Sequence, residues 1–551
     1  MKTTLLFLAG LSISFANAQT FEYLDINQVK ARVNSGGDLH WDPTTGNSGY
    51  ECPQGSGKTW GTTANIWLGG IDNGGQLHLA AQTYHQSGID FWPGPLTTSG
   101  ATTNSTTVNQ YNRVWKLNKT DIDNFVTNFA NGNVQNGSFI PAADLLSWPA
   151  NGDISQNYDS QLAPYMDVDG DAVYNPMAGD YPLIKGDQAV YTIFNDNYLP
   201  HGSGGQTIGL EIHLMAYAYG PCSITTNNTF LNYTTFYNYK IINRSPFALF
   251  DFYSALFNDQ EIGAHDQTGC DVLDHYGYTY NTSTLNNPAI GVVQLKGPIN
   301  TVNLIDDDND GITDEPLEQM NMTGFMSLNN AFPGVPFAIT DPNNSMQYYQ
   351  CLKNLWKDGT PLTCGGNGYG GSIPTFFAFP NNTYTNSPCG TSNWTETVSS
   401  TYVTDKRFVM NTGSITLQPG AVNELEYAYI VSFDSITNNP LTKLDLDVQS
   451  LHSIYNSTLN QCLTTGIKEQ KNQTEFTLSP NPTNGILNIN HNLKVNSFKI
   501  EIIDALGKVL ISGEHKGLNE TSIDVSNLSS GIYFIKVISG ENTSTKKFIK
   551  E

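Results

Sequence analysis

The feature that most restricts this chain is a period of two. Leu210-Glu-Ile-His-Leu-Met-Ala-Tyr217 alternates in character, and so does Phe230-Leu-Asn-Tyr-Thr-Thr-Phe-Tyr-Asn-Tyr-Lys-Ile-Ile242; Phe250-Asp-Phe-Tyr-Ser-Ala-Leu-Phe257 is a third run. Successive side chains of a strand point to opposite faces, so this period predicts strands that put one face on a core. Clusters of Gly, Asn and Pro punctuate the runs and supply turns. Helical spacing is scarce. The best candidates are residues 141–148 and residues 441–455, where Leu441, Leu444, Val448, Leu451 and Tyr455 share a face. The expectation is a mainly β protein, with a β-sandwich-like body of one or two domains followed by a small C-terminal antiparallel β-sandwich.

Charge narrows the partners. The 551 residues carry a formal net charge of −24. Residues 471–551 hold nine Lys+Arg against eight Asp+Glu, which leaves seventeen against forty-two for the rest. The acidity therefore belongs to the body. Nucleic acid and anionic membrane surfaces both demand a basic footprint, so neither is expected as a partner, whereas cations are. The chain begins Met1-Lys2, continues with an apolar run from Leu5 to Phe15 and reaches Ala16-Asn17-Ala18, the pattern of a cleavable signal peptide over 1–18. Gln19 follows where a lipoprotein would carry Cys, and no later segment is long and apolar enough to span a bilayer. The expected location is outside the cytosol, secreted or at the cell surface, after signal peptide cleavage. Seven cysteines remain for an oxidising compartment. Cys351 and Cys364 are near enough in sequence to bridge a loop, although spacing does not decide pairing.

A patternless polar stretch over 465–473 separates the acidic body, 19–464, from a compact set of short strands in 474–551. An internal boundary of the body is allowed near 195–205. In the last segment, Ser479-Pro-Asn-Pro482 precedes Gly485 and an apolar strand. Asp504-Ala-Leu-Gly507-Lys508-Val509 reads as a hairpin. Leu528-Ser-Ser-Gly-Ile-Tyr533 leads into Phe534, Lys536 and Val537, and Lys546-Lys-Phe548 closes the chain. This ordered set resembles the type A C-terminal sorting domain of type IX (Por) secretion. The resemblance implies a small β-sandwich recognised by the type IX secretion machinery, then removed, with release or surface attachment of the rest. The body contains Ile66-Trp-Leu-Gly-Gly-Ile-Asp72, Asp90-Phe-Trp-Pro-Gly-Pro95 and Met166-Asp-Val-Asp-Gly-Asp171. It resembles a large group of uncharacterised exported proteins with the same tail, a likeness that implies no activity.

Three acidic clusters carry the chemistry. Asp306-Asp-Asp308-Asn-Asp310-Gly-Ile312-Thr-Asp314 places oxygen ligands at positions 1, 3, 5 and 9, a glycine at 6 and the Ile312 carbonyl at 7. That pattern wraps a hard cation, Ca²⁺ above all. Leu317 stands where an EF-hand needs glutamate, although Glu315 or Glu318 could substitute, and with no flanking helices evident the pattern resembles thrombospondin type 3 or dockerin-like loops more than an EF-hand. Asp167, Asp169 and Asp171, with Asp180 nearby, form a second candidate Ca²⁺ site, although Gly170 occupies position 4. Asp259, Glu261, Asp266 and Asp271 form a third and weaker one. Gly55-Ser-Gly-Lys-Thr59 lacks the first glycine of a phosphate loop, and Gly366-Asn-Gly-Tyr-Gly-Gly371 lacks the strand and helix of a dinucleotide site. Glu211 and His213 share a strand face, where a structural hydrogen bond is the ordinary outcome. Trp60, Trp67 and Trp92 are either core or sugar-stacking platforms. The expected function is a calcium-stabilised binding or adhesion protein, leaning non-enzymatic, with an unidentified extracellular ligand for which a glycan is one candidate. The alternative is a secreted hydrolase of polysaccharide or protein.

Overall fold

The computed structural model describes residues 20–84, 89–221, 223–225, 228–263, 266–281, 287–300, 319–380, 387–390, 394–399, 405–434, 439–455, 476–491, 498–503, 509–516, 520–539 and 542–550. The signal segment 1–18, the linker 465–473 and the Asp306–Asp314 loop lie outside them. The chain divides into two compact units, Met1–Asn460 and Gln461–Glu551.

The first unit is a sandwich of two antiparallel sheets. One has eight strands, in the order Phe21–Leu24, Lys30–Asn34, Tyr50–Glu51, Thr59–Ile71, Leu249–Gln260, Lys406–Leu417 and Gly324–Asn329, with Leu77–Ala80 also paired to Thr59–Ile71. The other has nine, in the order Gln267–Asp271, Tyr276–Tyr280, Ala289–Lys296, Val422–Ser432, Thr234–Asn243, Leu210–Ala218, Gln188–Asn195 and Trp92–Pro93, with Trp115–Asn118 also on Gln188–Asn195. Residues 195–205, where the sequence allows an internal boundary, connect two neighbouring strands of this second sheet.

Period-two alternation sorts the side chains between two cores. Ile212, Leu214, Tyr237, Tyr239, Tyr427 and Tyr429 of the nine-stranded sheet join Ile66, Leu68 and Leu256 of the eight-stranded sheet in one apolar cluster. Their neighbours Met215, Tyr217, Phe236, Ala428 and Ile430 belong to a second cluster with Phe125, Leu145, Leu444, Val448 and Leu451. Three of these last five come from the helix Pro440–Ile454, one from Lys119–Ala130 and one from the short turn Ala143–Leu146. Helices therefore cover the outer face of the nine-stranded sheet. The sheet is buried on both faces, not only on the one that the period predicts: every residue of Leu210–Ala218 is buried. The far face of the eight-stranded sheet is covered too, since Trp67 stacks on Phe257 and meets Tyr348 of the helix Ser345–Leu352 edge-on at 4.8 Å.

The second unit has a three-stranded sheet of Phe476–Ser479, Ile486–His491 and Glu520–Asp524. Its four-stranded sheet runs Val509–His515, Phe498–Ile503, Gly531–Ser539 and Asn542–Lys550. Phe476, Leu487, Ile500, Ile535, Val537 and Phe548 build its core.

Candidate metal centre

Tyr165–Met166 and Tyr181–Pro182 form a two-stranded ribbon, and the chain between them carries the second acidic cluster. The ribbon brings the two ends of that loop together. Four carboxylates, those of Asp167, Asp169, Asp171 and Asp180, each present an oxygen, all within 4.8 Å of one another. The first three are exposed and Asp180 is fully buried. Asp180 organises the base: its Oδ1 accepts the Val168 N–H at 2.8 Å and its Oδ2 accepts the Asn175 N–H at 2.8 Å. Asp167 closes the turn, accepting from Gly170 N–H at 2.7 Å and Ala172 N–H at 2.9 Å. The tight path needs positive φ at Gly170 (79°), where glycine is at ease, and at Ala172 (62°), where an L-residue is strained. Hydrogen bonds from Ala172 and Gly170 hold the Asp167 carboxyl below its ordinary pKa. Asp169 is shifted upward, first by desolvation and then by the charges of Asp171, Asp180 and Asp167, a push only partly offset by a backbone hydrogen bond. An all-oxygen set of four carboxylates suits a hard divalent cation, which would turn that repulsion into attraction.

The Asp306, Asp308, Asp310, Ile312 and Asp314 set falls outside the described residues. Its flanks are described and they meet: Ile299 pairs with Gln319, and Met320 N–H donates to Pro298 O at 2.9 Å.

The third cluster is rearranged. Asp266 leaves it to accept from Ile262 N–H at 2.8 Å and from Asn281 Nδ2 at 2.8 Å. Asp271 caps the turn at Leu273 and Asp274. Asp405, which the sequence did not suggest, joins Asp259 and Glu261 with carboxylate oxygens within 4.8 Å of one another. Sequence separation hides this meeting, and only strand pairing brings Asp405 across.

Other readings resolve structurally. Glu211 Oε1 accepts from His213 Nε2 and Arg244 Nη2, both at 2.9 Å, and its Oε2 accepts Leu96 N–H at 2.7 Å. Trp60, Trp67 and Trp92 are core residues at 8%, 0% and 8% exposure, so none offers a face to a sugar. Gly55 and Gly57 lie in the turn closed by Cys52 N–H to Lys58 O, and Gly366 O accepts from Trp394 Nε1 in a loop. The bridge links Cys364 to Cys389, not to Cys351, which is a buried thiol. An open groove of about 460 Å³ lies beside Ser105, Thr106, Gln110, Tyr111, Asp153 and Gln156.

Comparison with known proteins gives one family. Residues 477–551 match the secretion system C-terminal sorting domain. Two solved structures share remote similarity. A polysaccharide lyase is 8% identical with a TM-score of 0.17, over 62% of this chain and 34% of that one. A biofilm-associated protein, BSP domain, is 8% identical with a TM-score of 0.13, over 60% of this chain and 61% of that one. The chain thus spans less than two thirds of either. No curated protein matches.

Proposed function

From a chain that ends in a secretion system C-terminal sorting domain, we propose a calcium-stabilised binding protein that works outside the cell or on its surface. The tail makes the protein an exported one that engages the type IX secretion machinery. No helix among the described residues is long and apolar enough to cross a membrane. The observation that carries the calcium reading is the convergence of Asp167, Asp169, Asp171 and Asp180 on one point of a ribbon-held loop. Asp306, Asp308, Asp310, the Ile312 carbonyl and Asp314 would hold a further Ca²⁺ on the loop pinched at Ile299 and Gln319. Millimolar extracellular calcium fills sites of roughly 10⁻⁴–10⁻³ M affinity. The groove at Ser105, Thr106, Gln110, Asp153 and Gln156, lined by hydroxyl, amide and carboxylate groups, suits the hydroxyls of a sugar, which favours a glycan ligand.

Thermal unfolding of the full chain in chelator and in Ca²⁺ tests the first part. At tenfold excess over Kd, each site adds about 1.4 kcal/mol. Asp169→Asn with Asp171→Asn removes one site's share and leaves unfolding in chelator little changed. An identical calcium response in that variant and the parent would refute the loop as a site. For the second part, retention on immobilised polysaccharides with Ca²⁺ present, without release of soluble fragments, is expected. Progressive release of oligosaccharide would replace binding with hydrolysis or elimination.

A further inference from the structure

Asp259 is the penultimate residue of the Leu249–Gln260 strand and is 1% exposed. Its Oδ2 is occupied: it accepts from the Tyr84 hydroxyl and lies 3.5 Å from Arg407 Nε. Its Oδ1 is buried and meets no donor among the described residues. A carboxylate oxygen taken out of water without a partner is a costly arrangement. Burial accordingly drives the Asp259 pKa up to about 7, with Asp405 and Glu261 adding to the push and Arg407 opposing it.

The surroundings deepen the imbalance. Asn258 faces Phe408 across the sheet. The pairing ends there, and the acids sit at and just beyond the strand ends, Glu261 one residue after Gln260 and Asp405 one residue before Lys406. Carboxylates held within 4.8 Å of one another repel. Arg407 is the guanidinium among these acids and is shared three ways, with Nη2 at 2.8 Å from Asp405 and Nε at 3.6 Å from Asp341 as well as 3.5 Å from Asp259. Asp341 Oδ1 is a second buried oxygen without a donor among the described residues. Lys357 approaches but spends its ammonium on Thr340 Oγ1 at 2.6 Å and Asp341 O at 2.8 Å. Four carboxylates therefore surround one guanidinium, and three of them converge.

We propose that Asp259 Oδ1, Glu261 and Asp405 hold a hard divalent cation of the Ca²⁺ class at the ends of these two neighbouring strands. The cation supplies the positive charge that Arg407 alone does not, satisfies the orphaned oxygen, and ties the strand ends across their point of repulsion. Oxygen-only ligands fit such an ion, with water completing its shell. The site is distinct from the Asp167 loop and does not rest on the reading of that loop or on any ligand of the protein.

Glu261 is the discriminating residue: it is exposed, and among the described residues its carboxylate makes no hydrogen bond or ion pair. The experiment uses the full chain stripped with chelator and titrated with Ca²⁺ alone. Bound ions are counted by native mass spectrometry, and thermal unfolding is followed in parallel. In chelator, Glu261→Gln should unfold at the parent's temperature or above it, because a repulsion is relieved. In Ca²⁺ it should bind one ion fewer, or bind that ion about tenfold more weakly, since carboxylate count sets affinity. Asp405→Asn should lose the same ion, whereas Asp169→Asn should lose a different one, and the losses should add. Equal ion counts and affinities in Glu261→Gln and the parent would overturn the site. Equal destabilisation of Glu261→Gln in chelator and in Ca²⁺ would also overturn it, by giving Glu261 a purely structural role.

Discussion

Glu211 is buried at 0% exposure. Burial alone would raise its pKa, but the hydrogen bond and charge of His213 and the Arg244 guanidinium outweigh it and hold the carboxyl at about 2. Tyr111 and Tyr191 also face it, and Asp159 shares Arg244 at 3.0 Å. The folded value lies below the ordinary 4.5, so the stabilisation is complete above about 4.5. It is lost as pH falls from there through about 2, on the order of 3 kcal/mol in all. Urea unfolding at pH 7, 5 and 3 should show a steep acid loss in the parent. In Glu211→Gln the loss should be shallower, after a destabilisation of about 2–3 kcal/mol at pH 7 from leaving Arg244 with Asp159 alone of its two acids. An unchanged acid slope in the variant would take the effect away from Glu211. The sequence shows that Glu211 and His213 share a face, because that follows from a spacing of two. Arg244 lies across a hairpin, and Asp405 reaches Asp259 from another strand of the sheet. Pairings of that kind depend on register, which no local spacing reveals.

Elements were legible where their period was clean. Of the expected face Leu441, Leu444, Val448, Leu451 and Tyr455, the last four are buried and Leu441 is half-buried against the same core, on the helix Pro440–Ile454 and its cap. The helix Lys119–Ala130 escaped, although its signal was present: Ile122, Phe125 and Phe129 follow a helical spacing, and Asn118 with Asp121 forms a capping box. Its Asn and Thr content masked the pattern, since those residues favour turns. The cysteines illustrate the same limit. Cys351 lies on a helix whose buried face turns it into the core, while Cys364 meets Cys389 across a separation of 25 residues. Three consequences are measurable. Denatured, unreduced protein should yield at least three titratable thiols, from Cys52, Cys270 and Cys351. In the native state these should resist alkylation, because burial pushes the Cys351 thiol up to about 12 and Cys270 well above its ordinary range. Cys364→Ser should cost about 3 kcal/mol, the entropy of opening a loop of that length. Rapid native labelling of Cys270 or Cys351, or a Cys351-containing disulfide in peptide mapping, would contradict this arrangement.

At the scale of the whole molecule, the two units differ in what their sequences demand. The body is a two-sheet sandwich with a second core beneath its helices, so its polar strand positions are consumed internally, which hid the helical layer from a period-two reading. The tail is legible at its opening and closing motifs, which serve its own small fold, while the hairpin at 504–508 lies outside the described residues. Asn481 of the opening motif accepts from Ile549 N–H at 2.8 Å in the last strand, and Tyr533 stacks on Phe548 while its hydroxyl reaches Ser529 O at 2.9 Å. The unit has its own core and is near-neutral, against a charge of −25 for the body, as a removable tail requires. The expected mature form therefore begins at Gln19 and lacks the segment from about residue 474. Deleting 477–551 should leave a folded body, with unchanged thermal unfolding and calcium response, that is retained behind the outer membrane. N-terminal sequencing and intact mass of protein from the medium or cell surface check the first statement, and fractionation of the deletion strain checks the second. Exported body still carrying Lys550, or a tailless body exported as well as the parent, would show that the sorting domain does not direct this chain.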